Sequence, residues 1–510
     1  MHDDMQVIRL QQMTKCFEDG QIPCRMSLDL GGAYSQPHFN YYSAFPYYLG
    51  SIIHQIGFSY LDSIKILFFL SIFLSAFGLY HLSRHFFSNT ASLASVILIS
   101  LSTYRLVNIY VRGALAESFA LALLPGVIAL FLTLIKPTRL KIILSAIVFS
   151  FFLTSHPISI VINTPIFVLV GLYLLFKSRQ GFIGLVLSVC LGLGLSAFFL
   201  LPAFIEQPLI NTISLLNDYY QYALHYPTIK QLLLETNWGY GPSRPGPEDG
   251  FSYHIGYAHL LILAISSLLT LKKLKNFITL VVALSLGYLF LNHARSVGIW
   301  EVLPLVRFVQ FPWRLLGPLS LLTSFLAAFV LSRLPQKFQK FALVVVFLIA
   351  FIPMSANLHF DKYYQDATDQ QYLSGAGWDQ QRKAASHDYL PAGIDDLPTD
   401  LAPDNPIALN NAKINLHYFD RKTNYFATEI DVYDESATIQ FPVLKFPQWQ
   451  VHLNKSTDNA TLEEDSTGLI SIKLPKGSHH IQAYFTDTPV RTLANIITFA
   501  SYLLVVLLIL

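Results

Sequence analysis

Apolar runs long enough to cross a bilayer recur along the chain, separated by short polar connectors. Stretches of about 17–25 apolar residues form spanning helices. Candidates fall at 64–84, 90–104, 117–135, 141–155, 158–176, 182–206, 256–271, 277–292, 314–334, 338–357 and 494–510. About eleven spans are expected, with 141–176 also compatible with one broken span and a re-entrant piece. The connectors alternate in charge. Five short loops are basic: Arg84; Lys136, Arg139 and Lys141; Lys177 and Arg179; Lys272, Lys273 and Lys275; Arg333, Lys337 and Lys340. An excess of Lys and Arg marks cytoplasmic loops. The other segments, 1–63, 105–116, 155–157, 207–255, 293–313 and 358–493, are therefore expected on the outer face.

One long segment has a different period. Residues 358–493 are polar. Their first part, YYQDATDQQYLSGAGWDQQRKAASHDYLP, reads as irregular or weakly helical. TNYFATEIDVY, SATIQFPVLKF, WQVHLN, GLISIKL and HHIQAYF then alternate apolar and polar residues, as half-buried strands do. PKGS between two of them reads as a turn. The expectation is a small antiparallel β-domain of sandwich type, tethered by spans at 64–357 and 494–510. Its role is either a structural cap or a glycan- or substrate-binding surface.

Composition narrows the class. Of 510 residues, 53% are hydrophobic and only 13% charged, where a soluble domain carries about 25% charge. A water-soluble enzyme is excluded, and 39 Phe and 27 Tyr exclude a disordered chain. The net charge of +2 implies no nucleic-acid partner, and three cysteines make no disulfide framework. No glycine-rich phosphate loop is present, and the inner connectors are too short to hold an ATP site.

The chemistry-bearing residues gather in the outer segments. His2, Asp3 and Asp4 open the chain, followed by MQVIRLQQMTKCFEDG, a potential amphipathic helix ended by Gly20. Arg9 then lies one to two turns after the acids. Adjacent carboxylates at a membrane surface act as a general base or bind a divalent cation, or simply cap a solvated helix. GGAYSQPHFNYYSAFPYYLG, with His38 and Pro46, suits sugar or isoprenoid stacking as well as an aromatic belt. In YVRGALAES, Arg112 suits a phosphate, and Glu117 either joins it or caps a helix. His156 sits at a break between apolar stretches. The 207–255 loop offers Arg244, Glu248, Asp249 and His254. In LVRFVQFPWRLLG, Arg307, Gln310, Trp313 and Arg314 suit a lipid phosphate, or internal ion pairs.

Together these stretches resemble a known group. HDDMQVIRL, EDGQIPCR, PHFNYYSAFPYYLG, YVRGALAES, LPAFIE (ending on Glu206), WGYGPSRPGPEDGFSYHIG, QFPWRLLG and FPQWQVHLN occur in order over most of the chain. The pattern resembles GT-C type membrane glycosyltransferases, and more specifically the bacterial membrane proteins labelled 6-pyruvoyl-tetrahydropterin-synthase-related. That label implies no pterin chemistry, and the sequence has no zinc-binding histidine triad for it. The GT-C resemblance implies a multi-pass protein of the cell membrane that takes a sugar from a polyprenyl-phosphate-linked donor. The acceptor would be a glycan, lipid or protein outside the cytoplasm. Asp3, with Asp4 as the near alternative, would be the base; Arg112, Arg314 and Arg307 would hold the donor phosphate. Glu117, His156, Glu206, Arg244, His254, Gln310 and Trp313 are further site candidates. No cofactor is firmly implied, although some GT-C members use a divalent cation.

The sequence departs from that pattern in three ways. GT-C enzymes carry a span before the acidic loop, so one is expected ahead of Met1, with more chain after Leu510. Gln6 and Val7 stand where relatives carry a histidine. Tyr34, Ser35 and Gln36 replace small or aromatic residues. The competing expectation is a non-enzymatic protein: a transporter or flippase, or an assembly factor for lipid-linked glycans. A transporter places charges near mid-membrane, whereas the predicted spans here are almost free of them. The topology has a direct check. A reporter fused after Arg139 should show the cytoplasmic signal, and an outer signal there would invert every assignment above.

Overall fold

The computed structural model describes residues 3–212, 216, 218–246, 248–271, 276–359, 364, 367–384, 388–394, 396–454, 456, 460–463 and 467–510. His2 and the basic connector Lys272, Lys273 and Lys275 lie outside the described residues.

The apolar runs are helices. Six are long and apolar enough to cross a bilayer: Tyr60–Arg84, Leu115–Thr133, Pro157–Lys177, Pro312–Ser332, Gln336–Ser355 and Pro489–Ile509. Three pairs reach that length only as bent units: Asn89–Ser100 with Thr103–Arg112 (46°), Arg179–Leu195 with Ala197–Ile205 (74°), and Phe277–Leu291 with Ala294–Val302 (100°). The spans among the described residues thus number six to nine, fewer than the eleven expected. Two expected spans drop out on length. Arg139–Ser155 has 17 residues and Tyr257–Thr270 has 14. They rise about 26 and 21 Å, against a hydrocarbon core of about 30 Å.

The 105–116 segment also differs from expectation. Instead of an outer connector, Thr103–Leu106 is helical and runs into a π-helical turn, Val107–Arg112, closed by Gly113 at φ 70°. Its side chains are mostly buried, so its charges belong to the bundle wall.

Helix starts follow local chemistry. Ser59, Ser88, Thr138, Ser178 and Thr488 each accept a hydrogen bond from the backbone N–H three residues on, satisfying a donor that the helix leaves free. Small residues allow close packing: a Cβ on Gly78 would lie 2.6 Å from the backbone nitrogen of Gly126 on the Leu115–Thr133 helix. The basic connectors share one end of the bundle. Ser178 Oγ donates to Ile135 O (3.0 Å), Ser88 Oγ to Gln339 Oε1 (3.4 Å), and Phe86 stacks on Phe277. The first loop, the 207–255 loop and the sheet lie at the other end.

The C-terminal polar block is a five-stranded antiparallel sheet: β1 (Ile407–Ala408), β2 (Ile414–Lys422), β3 (Tyr425–Leu444), β4 (Trp449–Leu453) and β5 (Leu469–Phe485). The order is β1-β3-β5-β4, with β2 pairing on the same side of β3 as β1. It is one sheet built on two long strands rather than two packed sheets. PKGS forms no turn. Pro475 pairs with Ser436 and Gly477 with Val432, so the stretch runs on within β5, opposite a bulge in β3 where residues 433–435 face Lys476 alone, and Gly477 takes a φ of 138° there.

The first loop is built into this sheet. Its helix, Gln6–Glu18, ends before Gly20 (φ 75°) but is buried on most of its faces, so it is a packed element instead of an amphipathic surface helix. Cys16 and Cys24 form a disulfide that ties this helix to the following loop. Gly31, Gly32, Ala33 and Ser35 all have positive φ, a tight path that presents carbonyls to the sheet. Leu444 N–H donates to Tyr34 O (2.7 Å), Ala402 N–H to Gly32 O (2.8 Å) and Arg421 to Ala33 O (2.9 Å). Met26 and Tyr41 join the apolar core under Phe426, Ile430 and Trp449.

Glu206 is the clamp between these parts. It accepts from Arg491 Nε (2.9 Å), Asn40 Nδ2 (3.1 Å) and the Thr488 hydroxyl, while Arg491 also lies over the Phe485 ring at 4.8 Å. Arg491 is fully buried, and a buried charge left without its partner costs about 3–5 kcal/mol. Glu206→Ala should lower stability by that order in a thermal unfolding assay of the detergent-solubilised protein. An unchanged midpoint would deny Glu206 this role.

Candidate functional site

The bundle end opposite the basic connectors brings several of the sequence candidates together. Asp3 is half-buried. Its N–H donates to Arg112 O (3.0 Å), which fixes the start of the chain on the π-helical turn. Its carboxylate accepts from Arg9 (3.1 and 3.2 Å) and from Gln6 Nε2 (3.0 Å). Gln6 also donates to Gly113 O (2.9 Å) and accepts from the Tyr47 hydroxyl (2.6 Å). Asp3 lies three residues before Gln6, the first residue of the helix, so the start of the chain folds back over the helix end. The Arg9 guanidinium lies over the Tyr42 ring at 4.5 Å.

Next to Asp3 sits a second charged group. Glu117, on the first turn of the Leu115–Thr133 helix, accepts from Arg112 (3.0 Å) and pairs with Arg314 Nε at 3.5 Å. Tyr104 donates a short hydrogen bond to it. Two guanidiniums thus share one carboxylate, leaving one net positive charge. Both arginine side chains keep about a tenth of their surface open. Aromatic faces hold them in place: Arg112 lies over Trp313 at 4.5 Å and Arg314 over Phe311 at 4.9 Å. Gln310, at φ 64°, accepts from Arg314 (2.9 Å), as does Val309 O (2.8 Å). Gln310 and Trp313 therefore orient the arginines.

The remaining candidates separate. His156, at the break between two helices, bonds Ser159 Oγ (2.8 Å) and lies within the field of Glu117. Asp4, Arg244 and Arg307 are exposed. Arg307 stacks only on its neighbour Phe308, at 5.2 Å. His254 is buried apart from Asp3, bonded to Leu233 O (3.2 Å) and Gly256 N (3.1 Å). Asp249 braces the 207–255 loop by accepting from Gln231 (2.7 Å), Tyr253 (2.5 Å) and the Arg244 N–H (2.8 Å). Glu206 belongs to the clamp.

Residues not singled out from the sequence complete the site. Tyr219 and Tyr220 pack edge-on against Phe311, at 5.8 and 6.1 Å. Burial, and then the charge of Asp388, pushes the Tyr220 hydroxyl up to about 12, and Arg314 and Asp3 also act on it. Tyr220 thus lies close to both the acid and the arginines. His38 is fully buried beside Tyr42 and Tyr389, and burial, followed by the Arg9 charge, holds it well below the usual imidazole range. A tyrosine pair next to a loop of Gly and Pro is an ordinary sequence feature. Only the fold brings it to Arg314.

A divalent cation fits poorly. Among the described residues no three His, Cys, Asp or Glu side chains converge as ligands. The two buried carboxylates are already matched by guanidiniums, so no step below is routed through a metal.

Truncating Glu117 would leave two buried arginines facing each other. Glu117→Ala should cost about 3–5 kcal/mol, read as a lower unfolding midpoint, and millimolar inorganic phosphate should recover part of it. Equal stability with and without the carboxylate would deny the cluster its central anion.

No curated protein matches the chain. The family model for the 6-pyruvoyl-tetrahydropterin synthase related domain, a membrane protein, matches residues 39–361. That range holds every described span except Pro489–Ile509, as well as Arg112, Glu117 and Arg314. With well over half of its length covered, and with the apolar helices such a protein requires, the chain belongs to the 6-pyruvoyl-tetrahydropterin synthase related family of membrane proteins.

Proposed function

We propose that the protein is an integral membrane glycosyltransferase of GT-C type, transferring a sugar from a polyprenyl-phosphate-linked donor to an acceptor outside the cytoplasm. The observation that carries this is the join between acid and cations: Asp3 N–H bonded to Arg112 O, with Arg112 and Arg314 sharing Glu117. A phosphodiester donor carries one negative charge, which matches the net charge of that cluster.

The residues divide the reaction between them. The Asp3 carboxylate, held by Arg9 and Gln6, takes the proton of the acceptor hydroxyl. The acceptor oxygen then bonds to the anomeric carbon from the face opposite the phosphate. The bond from that carbon to the phosphate oxygen breaks, and the electron pair leaves on the lipid phosphate. Arg112 and Arg314 balance the charge that grows there. Inversion at the anomeric carbon follows from the single displacement.

Two further features support an outward site at the cell membrane. The Cys16–Cys24 disulfide lies in the loop that carries Asp3, and such bonds persist in oxidising compartments. The basic connectors sit at the opposite end of the bundle, as cytoplasmic loops do.

One observation favours the non-enzymatic alternative. Arg9 already pairs with Asp3 at 3.1 Å, which suits a merely structural ion pair. Activity separates the two. With the membrane-reconstituted protein and a polyprenyl-phosphate sugar, Asp3→Asn should lower transfer about 10²–10⁴-fold, the usual weight of a general base, while donor binding is retained. Arg314→Ala should instead raise the donor KM. Full transfer by Asp3→Asn would remove Asp3 from catalysis. Lipid translocation without transfer by the wild type would favour the alternative.

A further inference from the structure

Among the described residues, one buried cation in the bundle wall, Arg105, has no carboxylate partner. Arg105 lies just after the bend between Asn89–Ser100 and Thr103–Arg112, and is only 4% exposed. One terminal nitrogen donates a short hydrogen bond to Ser71 O on the Tyr60–Arg84 helix. Its Nε is buried with no acceptor, and no carboxylate pairs with it among the described residues. The carboxylate on the neighbouring helix, Glu117, is already shared by Arg112 and Arg314.

Depth makes this unusual. The exposed Lys65–Asp62 pair marks the polar margin of the Tyr60–Arg84 span. Ser71 lies six residues beyond Lys65, about 9 Å deeper at the rise of an α-helix. An unpaired charge at such a depth is expensive, and membrane proteins retain one where it serves a ligand. The backbone points the same way, since Val107–Arg112, which begins two residues on, forms a π-helical turn, a device that recurs at functional sites.

We infer that Arg105 is an anion site separate from the Arg112–Glu117–Arg314 cluster, and that it takes the phosphate group of an amphiphile seated against the Tyr60–Arg84 and Thr103–Arg112 helices. The guanidinium offers forked N–H donors that match phosphate oxygens. Phe69, Phe73 and Phe77 are exposed along the outer face of the Tyr60–Arg84 helix, where acyl or isoprenoid chains of a bilayer lie. The site does not depend on sugar transfer.

The test uses the purified full chain in phosphatidylcholine nanodiscs, with thermal unfolding as the readout. Phosphatidylglycerol added to the bilayer should raise the midpoint of the wild type by several degrees, and raise that of Arg105→Met by clearly less. Native mass spectrometry should find one fewer phosphatidylglycerol retained on Arg105→Met. Inorganic phosphate is the second arm: an equal, Arg105-dependent shift with it would retain the phosphate site but assign it to a soluble ligand, overturning the amphiphile. In phosphatidylcholine alone, Arg105→Met should be at least as stable as the wild type, because an unpaired buried charge has been removed. If that variant fails to fold, Arg105→Lys carries the test, since it keeps the charge and loses the fork. A reduced phosphatidylglycerol shift supports the site. An identical shift and identical lipid retention in the variants would overturn it and leave Arg105 as a tie to Ser71.

Discussion

The geometry of the candidate site rests on one carboxylate between two guanidiniums. Glu117 stands on the first turn of a helix that is buried over most of its length. It draws Arg112 from the end of the π-helical turn and Arg314 from the start of Pro312–Ser332, two segments far apart in sequence. In a low-dielectric wall each arginine is costly without a counter-charge, so the pairing favours the arrangement in which these three helices meet. The excess charge then becomes a property of the fold. Trp313 and Phe311 cover the guanidinium faces, so the N–H edges are what remain for an anion.

The first loop depends on the same meeting point. Asp3 is bonded through its N–H to the carbonyl of Arg112, and Gln6 reaches Gly113 just beyond it. The helix carrying both is tied by a disulfide to a segment whose carbonyls are taken up by the sheet. Sheet, loop and bundle therefore form one mechanical chain, closed on the far side by Glu206 and Arg491. A sheet that merely capped the bundle would need none of these bonds.

Much of this was legible in the sequence, for identifiable physical reasons. Apolar runs of span length have few alternatives to helices, and a period of two has few alternatives to strands. Arg112, Glu117 and Arg314 stood out because charge at the mouth of a span is costly without a partner. The convergence of Arg314 on Glu117 was not visible, since nothing local links residues some 200 apart. The PKGS stretch misled because proline and glycine occur in turns and at bulged ladders alike, and only the pairing of β3 with β5 decides between them. The span count misled because hydropathy records composition, whereas Arg139–Ser155 and Tyr257–Thr270 are apolar but short and Ser196 breaks the 182–206 run into two helices. Gln6 looked like a loss against relatives that carry histidine, yet its amide bridges Asp3 to Gly113 and accepts from Tyr47.

Arg105 shows where reasoning from pattern fails most completely. Charge and apolar character were weighed along the sequence, and an arginine close to a second arginine reads as part of a polar connector. The bend at Ser102 returns the following residues to the bundle and carries Arg105 inward to the level of Ser71. The premise that span centres are nearly free of charge therefore holds for the sequence segments first drawn and fails for the folded wall. That failure matters for function, because intramembrane charge was the feature that told a translocating protein from an interfacial enzyme. Three arginines against one carboxylate, among the described residues of neighbouring helices, leave the wall with an excess of positive charge under either function. What would separate the two is the acid at the mouth, because sugar transfer requires a base beside the arginines, the role proposed above for Asp3.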